Sequence, residues 1–276
     1  MMIDPVESVS DDADDQSVLV ERIGAVMIIT INRPNVRNAV NLAVSDGIGD
    51  ALAEAETDRS VWVVVITGAG DRAFCAGADL KALAKGERTI SEDPTRAMWG
   101  FAGYVNHHIS KPTIAAVNGM ALGGGTELVL ASDLAVAAEE AIFGLPEVKR
   151  GIFAGAGGLF RLPVQIPPKV AMSMILTGDP ITAAMALDVH LVNAVVPQGD
   201  VLDTAVDLAE RICANSPLAV QHSKRVAKGI IDERIEAEAA AWDLSAKELK
   251  DLMRSSDARE GPKAFAEGRM PVWSAE

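Results

Sequence analysis

The stretch from Lys111 to Asp133 constrains the fold more than any other part of the chain. Thr113 to Val117 is a short apolar run after Pro112, as a buried strand requires, and the chain then passes Asn118-Gly119 to three consecutive glycines, Gly123, Gly124 and Gly125. An apolar helical segment follows at once and carries one carboxylate, Glu127, among Leu128, Val129 and Leu130. Glycine has the highest conformational entropy cost of any residue, so a run of three implies a place that needs bare backbone. Glycines entering a helix leave N–H groups unpaired at its start, where the dipole favours negative charge. A developing oxyanion is one such charge, and a carboxylate one turn on can handle protons beside it.

Strand, glycine turn and helix recur. Val61 to Thr67 is nearly all apolar and β-branched, as expected of a central parallel strand, and leads into Gly68-Ala-Gly-Asp-Arg-Ala-Phe-Cys-Ala-Gly-Ala-Asp-Leu-Lys81. Ala141-Ile-Phe-Gly-Leu-Pro-Glu147 and Gly151-Ile-Phe-Ala-Gly-Ala-Gly-Gly158 extend the pattern. Three such units in the first 160 residues imply right-handed βαβ crossovers, with each turn at one carboxyl edge of the sheet. Before them, Val18 to Ile23 and Ala25 to Asn32 read as a hairpin about Gly24, and Asn41 opens a helix to Thr57. Residues 85–95 read as a polar loop and 94–109 as a helix. Beyond residue 158 the pattern is mostly helical, over 167–176, 182–188, 200–214, 217–231, 234–253 and 257–268, with a strand-like Leu191 to Val196 between. The chain reads as an α/β core, residues 17–200, followed by a helical region, 201–276. Residues 1–16 read as a disordered acidic tail with none of the marks of a signal peptide.

A formal charge of −14 argues against nucleic acid and anionic membrane surfaces as partners, although a local basic pocket for a small anion remains compatible with it. No run approaches the roughly 18 apolar residues of a membrane span. Two cysteines, Cys75 and Cys213, make neither a disulfide framework nor a metal-ligand set, and a soluble cytoplasmic protein is expected.

Gly68-x-Gly-x-x-Ala73 formally fits a dinucleotide fingerprint, but a second turn, Ala76-Gly77-Ala78, intervenes before a short helix, so nicotinamide binding is rejected. The small residues Ala76, Gly77 and Ala78 would let a ligand approach main chain, with the Ala78 N–H free at a helix start. Cys75 has no histidine in the glycine-rich turns to activate it and reads as a small buried residue. His107 and His108 read as a capping or surface pair. Glu147 follows Glu127 by 20 residues with one strand between them, a spacing that could bring two carboxylates to one edge, where unequal environments divide acid and base roles.

Taken together, Asn32-Arg-Pro34, Asn38-Ala39, Phe74-Cys-Ala-Gly-Ala-Asp-Leu80, Lys111-Pro-Thr-Ile-Ala-Ala-Val-Asn-Gly119, Leu122-Gly-Gly-Gly-Thr-Glu-Leu128, Phe143-Gly-Leu-Pro-Glu147, Gly155-Ala-Gly-Gly158 and Leu176-Thr-Gly178 resemble the crotonase, or enoyl-CoA hydratase/isomerase, superfamily. The resemblance implies a spiral of ββα turns followed by a helical trimerisation region, giving a homotrimer or a dimer of trimers. It implies an acyl-CoA thioester substrate, whose oxyanion the backbone N–H groups of Ala78 and Gly124 would hold. Glu127 would activate water for C3 and Glu147 protonate C2, hydrating a trans-2-enoyl-CoA with no metal or redox cofactor. Ala76, Asp79, Leu80, Lys81 and Gly123 would line the substrate site, and Phe265 and Arg269 would border the CoA site of a neighbouring subunit. Arg37 would stand near the lysine that many relatives use for CoA phosphates. The tail, Asp257 to Trp273, is similar to that of the carnitinyl-CoA dehydratase branch, which makes hydration of crotonobetainyl-CoA one alternative reaction and double-bond isomerisation another.

Overall fold

A computed structural model describes residues 16–276, so the acidic tail expected over residues 1–16 lies outside the described residues except for Gln16. Two strands, β1 (Val18–Ile23) and β2 (Val26–Ile31), form the expected hairpin, and α1 (Leu42–Thr57) follows with its Asn41 side chain accepting from the Val44 N–H. The spiral that the resemblance implied then appears as three successive turns. Each puts one strand in a large sheet, a three-residue strand in a small sheet, and then a helix. They are β3 (Val63–Gly68), β4 (Ala73–Cys75) and α2 (Leu80–Ala84); β5 (Thr113–Val117), β6 (Met120–Leu122) and α4 (Gly124–Ala131); and β7 (Leu134–Ala138), β8 (Ile142–Gly144) and α5 (Gly158–Gln165). Between the first and second turns lies α3 (Pro94–Met98).

The chain continues through α6 (Pro168–Thr177), β9 (Ile181–Thr182), α7 (Ala183–Asp188) and β10 (Ala194–Val196). The large sheet runs β1-β2-β3-β5-β7-β10, parallel except for the β1 edge, and the small sheet runs β4-β6-β8-β9. Every residue of β3 and β5 is buried, which is why these strands read as unbroken apolar runs rather than alternating ones. Each fully buried Val or Ile contributes on the order of 1.5–3 kcal/mol from removed apolar surface. Helix α8 (Val201–Cys213) covers β3, β5 and β7 with Val201, Ala205 and Ala209. The remaining helices are α9 (Pro217–Lys228), α10 (Ala239–Leu252) and α11 (Ser256–Ala266).

Two helical expectations are corrected. The segment 94–109 stops being helical at Met98, because Gly100 and Gly103 take positive φ and Ala102 joins them in the left-handed region. The segment 217–231 ends at Lys228 with Gly229 at φ 66°, and a small hairpin, β11 (Ile230–Ile231) with β12 (Arg234–Ile235), precedes α10.

Candidate active site

The glycine triplet is explained by main-chain crowding. Gly123 takes φ +57°, and a Cβ on it would lie 2.8 Å from Oε1 of Glu147. A Cβ on Gly125 would run into the Cys75 carbonyl oxygen, and one on Gly124 into the Phe101 ring. Opposite them, a Cβ on Gly77 would sit 3.2 Å from the Gly124 nitrogen and 3.1 Å from the Leu122 oxygen. Segments 76–78 and 122–124 therefore lie backbone to backbone, which only glycine permits.

The two amides singled out by the resemblance meet here. Val40 bridges the 76–78 segment, donating to the Gly77 oxygen at 2.8 Å and accepting from the Asp79 N–H at 2.9 Å, so Ala78 is held between two bonds that leave its own N–H unused. The Gly124 N–H is the first of α4 and has no carbonyl one turn back to bond. Neither amide has an acceptor among the described residues. Two buried or half-buried asparagines staple the loops around them. Asn38 donates to the carbonyls of Ala69 and Ala73, and Asn118 accepts from the Gly68 N–H while donating to the Gly68 and Gly70 oxygens.

Glu127 and Glu147 line one cavity of about 900 Å3 with these amides. The segment between the glutamates holds two strands, β7 and β8, rather than the one expected, and β8 of the small sheet returns the chain to the cavity. Glu127 lies in the first turn of α4, 3% exposed, and its Oε1 accepts from the N–H groups of Ala156 (2.7 Å) and Gly158 (2.9 Å). Glu147 lies in a 3₁₀ turn, Pro146–Arg150, and its Oε2 is buried with no hydrogen-bond partner. Burial raises the Glu127 carboxyl to about 7 against the opposing pull of the Gly158 and Ala156 N–H groups and Arg161. Burial, and then the charge of Glu127, raise Glu147 to about 8. Two interacting carboxyls that lose protons in this range share one proton between them near neutral pH.

The other expected site residues divide. Ala76, Asp79, Leu80, Lys81 and Gly123 all line the cavity. The Asp79 carboxylate is committed elsewhere, to Arg33 at 2.9 Å and to the Lys81 and Ala82 N–H groups that it caps, and these bonds hold its carboxyl below the usual range despite burial. It therefore positions α2 and the neighbouring Ala78. Phe265 lines the cavity of its own chain and is also 49% exposed. Arg269 does not reach the cavity, because Glu260 (2.9 Å) and Glu267 (2.6 Å) hold its guanidinium. Arg37 lies on the rim beside Arg72 and Lys81, which gives this acidic chain a local cationic border.

Cys75 is fully buried and its thiol is pushed up to about 12, so it is no nucleophile at neutral pH. His107 and His108 are not a surface pair. Both are half-buried and pushed down to about 4 by burial, and His107 stacks on Trp99 at 4.4 Å between ring centroids. Among the cavity residues that escaped the sequence reading are Phe101, against Gly124, Arg150 of the 3₁₀ turn, and Trp242 and Leu249, contributed by α10. No periodic signal marks Trp242 and Leu249, since only the placement of α10 beside the cavity brings them in. Among the described residues no group of three His, Cys, Asp or Glu side chains could hold a metal ion, and no helix is long and apolar enough to cross a membrane.

The family model described as enoyl-CoA hydratase/isomerase matches residues 21–276. A carnitinyl-CoA dehydratase of Salmonella paratyphi A is 40% identical over 261 residues, 94% of this chain and 98% of the relative. The crystal structure of a carnitinyl-CoA hydratase from Mycobacterium avium is 59% identical with a TM-score of 0.93, covering 95% of this chain and all of that one. That of an enoyl-CoA hydratase from Mycobacterium tuberculosis H37Rv is 45% identical with a TM-score of 0.73 and covers the same shares. Sequence, fold and cavity agree, and the chain belongs to the enoyl-CoA hydratase/isomerase family.

Proposed function

We propose that the protein is a carbon–oxygen lyase that adds water reversibly across the 2,3 double bond of a trans-2-enoyl-CoA. The observation that carries the reading is that Glu127 and Glu147 face one cavity beside the unpaired amides of Ala78 and Gly124. Both carboxyls are raised toward neutrality, Glu147 by burial and by the charge of Glu127, so the pair holds one proton near neutral pH, which the reading places on Glu147. Glu127 would take a proton from water as its oxygen bonds C3, and Glu147 would give its proton to C2. The electron pair of the double bond passes through the thioester carbonyl, whose oxygen gains negative charge beside the amides of Ala78 and Gly124. Each preorganised donor of this kind is typically worth about 3–4 kcal/mol in the transition state. Proton exchange with solvent then returns both glutamates to their starting states, and no redox cofactor is needed to balance the step.

The names of the 40% and 59% identical relatives favour crotonobetainyl-CoA as the acyl group within the same reaction class. Retention of both glutamates favours hydration over isomerisation, which needs only one group to move a proton. The test is a panel of 2-enoyl-CoA thioesters of graded length, crotonobetainyl-CoA included, with 3-enoyl-CoA assayed separately. Loss of the conjugated thioester absorbance from a 2-enoyl substrate is the expected result. Turnover of 3-enoyl-CoA alone would make the protein an isomerase, and no turnover of any member would make it a binding protein.

The same pair sets a pH dependence. Below about 7 Glu127 takes up the proton that disables it as base, and above about 8 Glu147 loses the one it must donate. Hydration kcat/KM should therefore pass through a maximum between these values and fall on both sides. A rate that keeps rising with pH through and beyond 8 would contradict the assigned donor.

We also propose that the helical region mediates assembly into trimers or paired trimers. Helices α9 and α10 bury no residue fully within the chain, and Leu218, Val226 and Leu244 are exposed on them. Sedimentation showing a monomer at micromolar concentration would end that assignment.

A further inference from the structure

Arg161, in the first turn of α5, is 5% exposed. Its Nη1 donates to the Val105 carbonyl at 2.7 Å, and its Nε (2.9 Å) and Nη2 (2.7 Å) grip the two carboxylate oxygens of Glu238. Glu238 comes from the 3₁₀ turn Glu236–Glu238 that enters α10. The guanidinium also stands 5.4 Å from the centroid of the Trp242 ring, which lines the substrate cavity. Apolar side chains of similar volume often replace a buried ion pair at no loss of stability, so packing alone does not account for this one.

The position of the guanidinium gives a second reason. Gly157 takes φ +104°, and a Cβ on it would lie 3.2 Å from Nη1 and 3.4 Å from Cζ of Arg161. A Cβ on the next residue, Gly158, would lie 3.0 Å from Oε1 of Glu127. Glycine main chain is thus sandwiched between guanidinium and carboxylate, and it belongs to the loop whose Ala156 and Gly158 N–H groups hold Glu127. Val105 in turn donates its N–H to the Phe101 carbonyl, so the same guanidinium ties down the segment that lays the Phe101 ring against Gly124. The Arg161 charge reaches Glu127 and opposes the effect of burial there. Glu127 is also faced by Glu147. The other titratable groups beside the ion pair are His108, which burial pushes down to about 4 and so leaves neutral at pH 7, and Lys224 and Lys228, which Asp133 holds at 2.8 and 3.1 Å.

We propose that Arg161, braced by Glu238, is a positioning residue for hydration that seats the 156–158 loop around Glu127 and couples the helical region to the base. The inference rests on the reading of Glu127 as the group that activates water.

The test is the pH profile of hydration kcat/KM for wild type, Arg161→Gln, Arg161→Lys and Glu238→Gln. Removing the cation makes Glu127 harder to ionise. Arg161→Gln is therefore expected to move the acid limb upward by about 1 pH unit, and to lower kcat by roughly 10-fold as the loop loses its seat. Glu238→Gln has the opposite sign, because it leaves the guanidinium uncompensated, and its acid limb should move downward by a smaller amount. Arg161→Lys keeps the charge without the fork and should move the limb less than Arg161→Gln does. A pair that only braced the fold would lower activity or melting temperature without moving a midpoint. Acid limbs that stay in place, or that move the same way in Arg161→Gln and Glu238→Gln, would overturn the proposal. The Glu238 side chain is 19% exposed, so its variant is the milder one and decides the sign if Arg161→Gln does not fold. Absence of hydration by wild type would instead remove the reading on which the inference rests.

Discussion

Glu127→Gln is expected to lower hydration kcat by about 100-fold or more while changing the Kd of an unreactive acyl-CoA only slightly. The substitution keeps the side-chain length and a carbonyl oxygen that can still accept from the Ala156 and Gly158 N–H groups, so the 151–158 loop stays in place. It removes the charge and the basicity. A positioned general base contributes roughly 10²- to 10⁴-fold, and the amides of Ala78 and Gly124 remain to bind the thioester oxygen. Single-turnover kinetics with a 2-enoyl-CoA reads the change directly. Near-normal hydration by this variant would show that water is activated elsewhere.

Glu147→Gln should lose turnover to a similar extent and, unlike most losses of function, gain stability. The folded-state carboxyl sits at about 8, far above the ordinary 4.5. The sign follows from linkage. Below about 4.5 both folded and unfolded states hold the proton and the native carboxyl is at no disadvantage. As pH rises toward 8 the unfolded state gains by ionising while the folded state cannot, so wild-type stability declines across that window. Glutamine is immune to this decline. The variant should therefore match wild type in thermal unfolding near pH 4.5 and exceed it above pH 8. Partial solvent access and an unpartnered amide at 147 limit the gain to on the order of 1–2 kcal/mol, or roughly 2–6 °C in Tm. Equal melting temperatures at both pH values would show that Glu147 ionises as freely as a surface carboxylate.

Much of the architecture was legible because burial leaves a strong trace in composition. β3 and β5 announce themselves as unbroken β-branched or small apolar runs, and Asn41 marks the start of α1 by the side chain that caps it. The small sheet left no comparable trace. β4, β6 and β8 are three residues each and lie among glycines, too short for any alternation to register, and only the family resemblance pointed to them. Helix 94–109 was over-extended because apolar spacing continues through Phe101, Tyr104 and Val105, while the positive φ of Gly100 and Ala102 is settled by tertiary contact with α1.

The site divides in the same way. Gly124 and Glu127 stand on a helix start, so local chemistry pointed to them. Glu147 required the return of β8, Trp242 and Leu249 required α10 to cross the loop at 152–156, and Arg150 required knowing that Pro146–Arg150 winds as a 3₁₀ turn rather than running extended. Arg269, which the resemblance placed beside the CoA site of a neighbouring subunit, is paired within its own chain to Glu260, nine residues earlier, once α11 forms.

The protonation of the glutamate pair is the physical claim on which the function rests, and infrared difference spectroscopy in the carboxyl-stretch region tests it most directly. At a pH between 7 and 8, subtracting the Glu147→Gln spectrum from wild type should reveal one protonated carboxylic acid, and subtracting Glu127→Gln should reveal an ionised carboxylate instead. Two ionised glutamates, or the protonated signal assigned to Glu127, would contradict the division of acid and base proposed for this cavity.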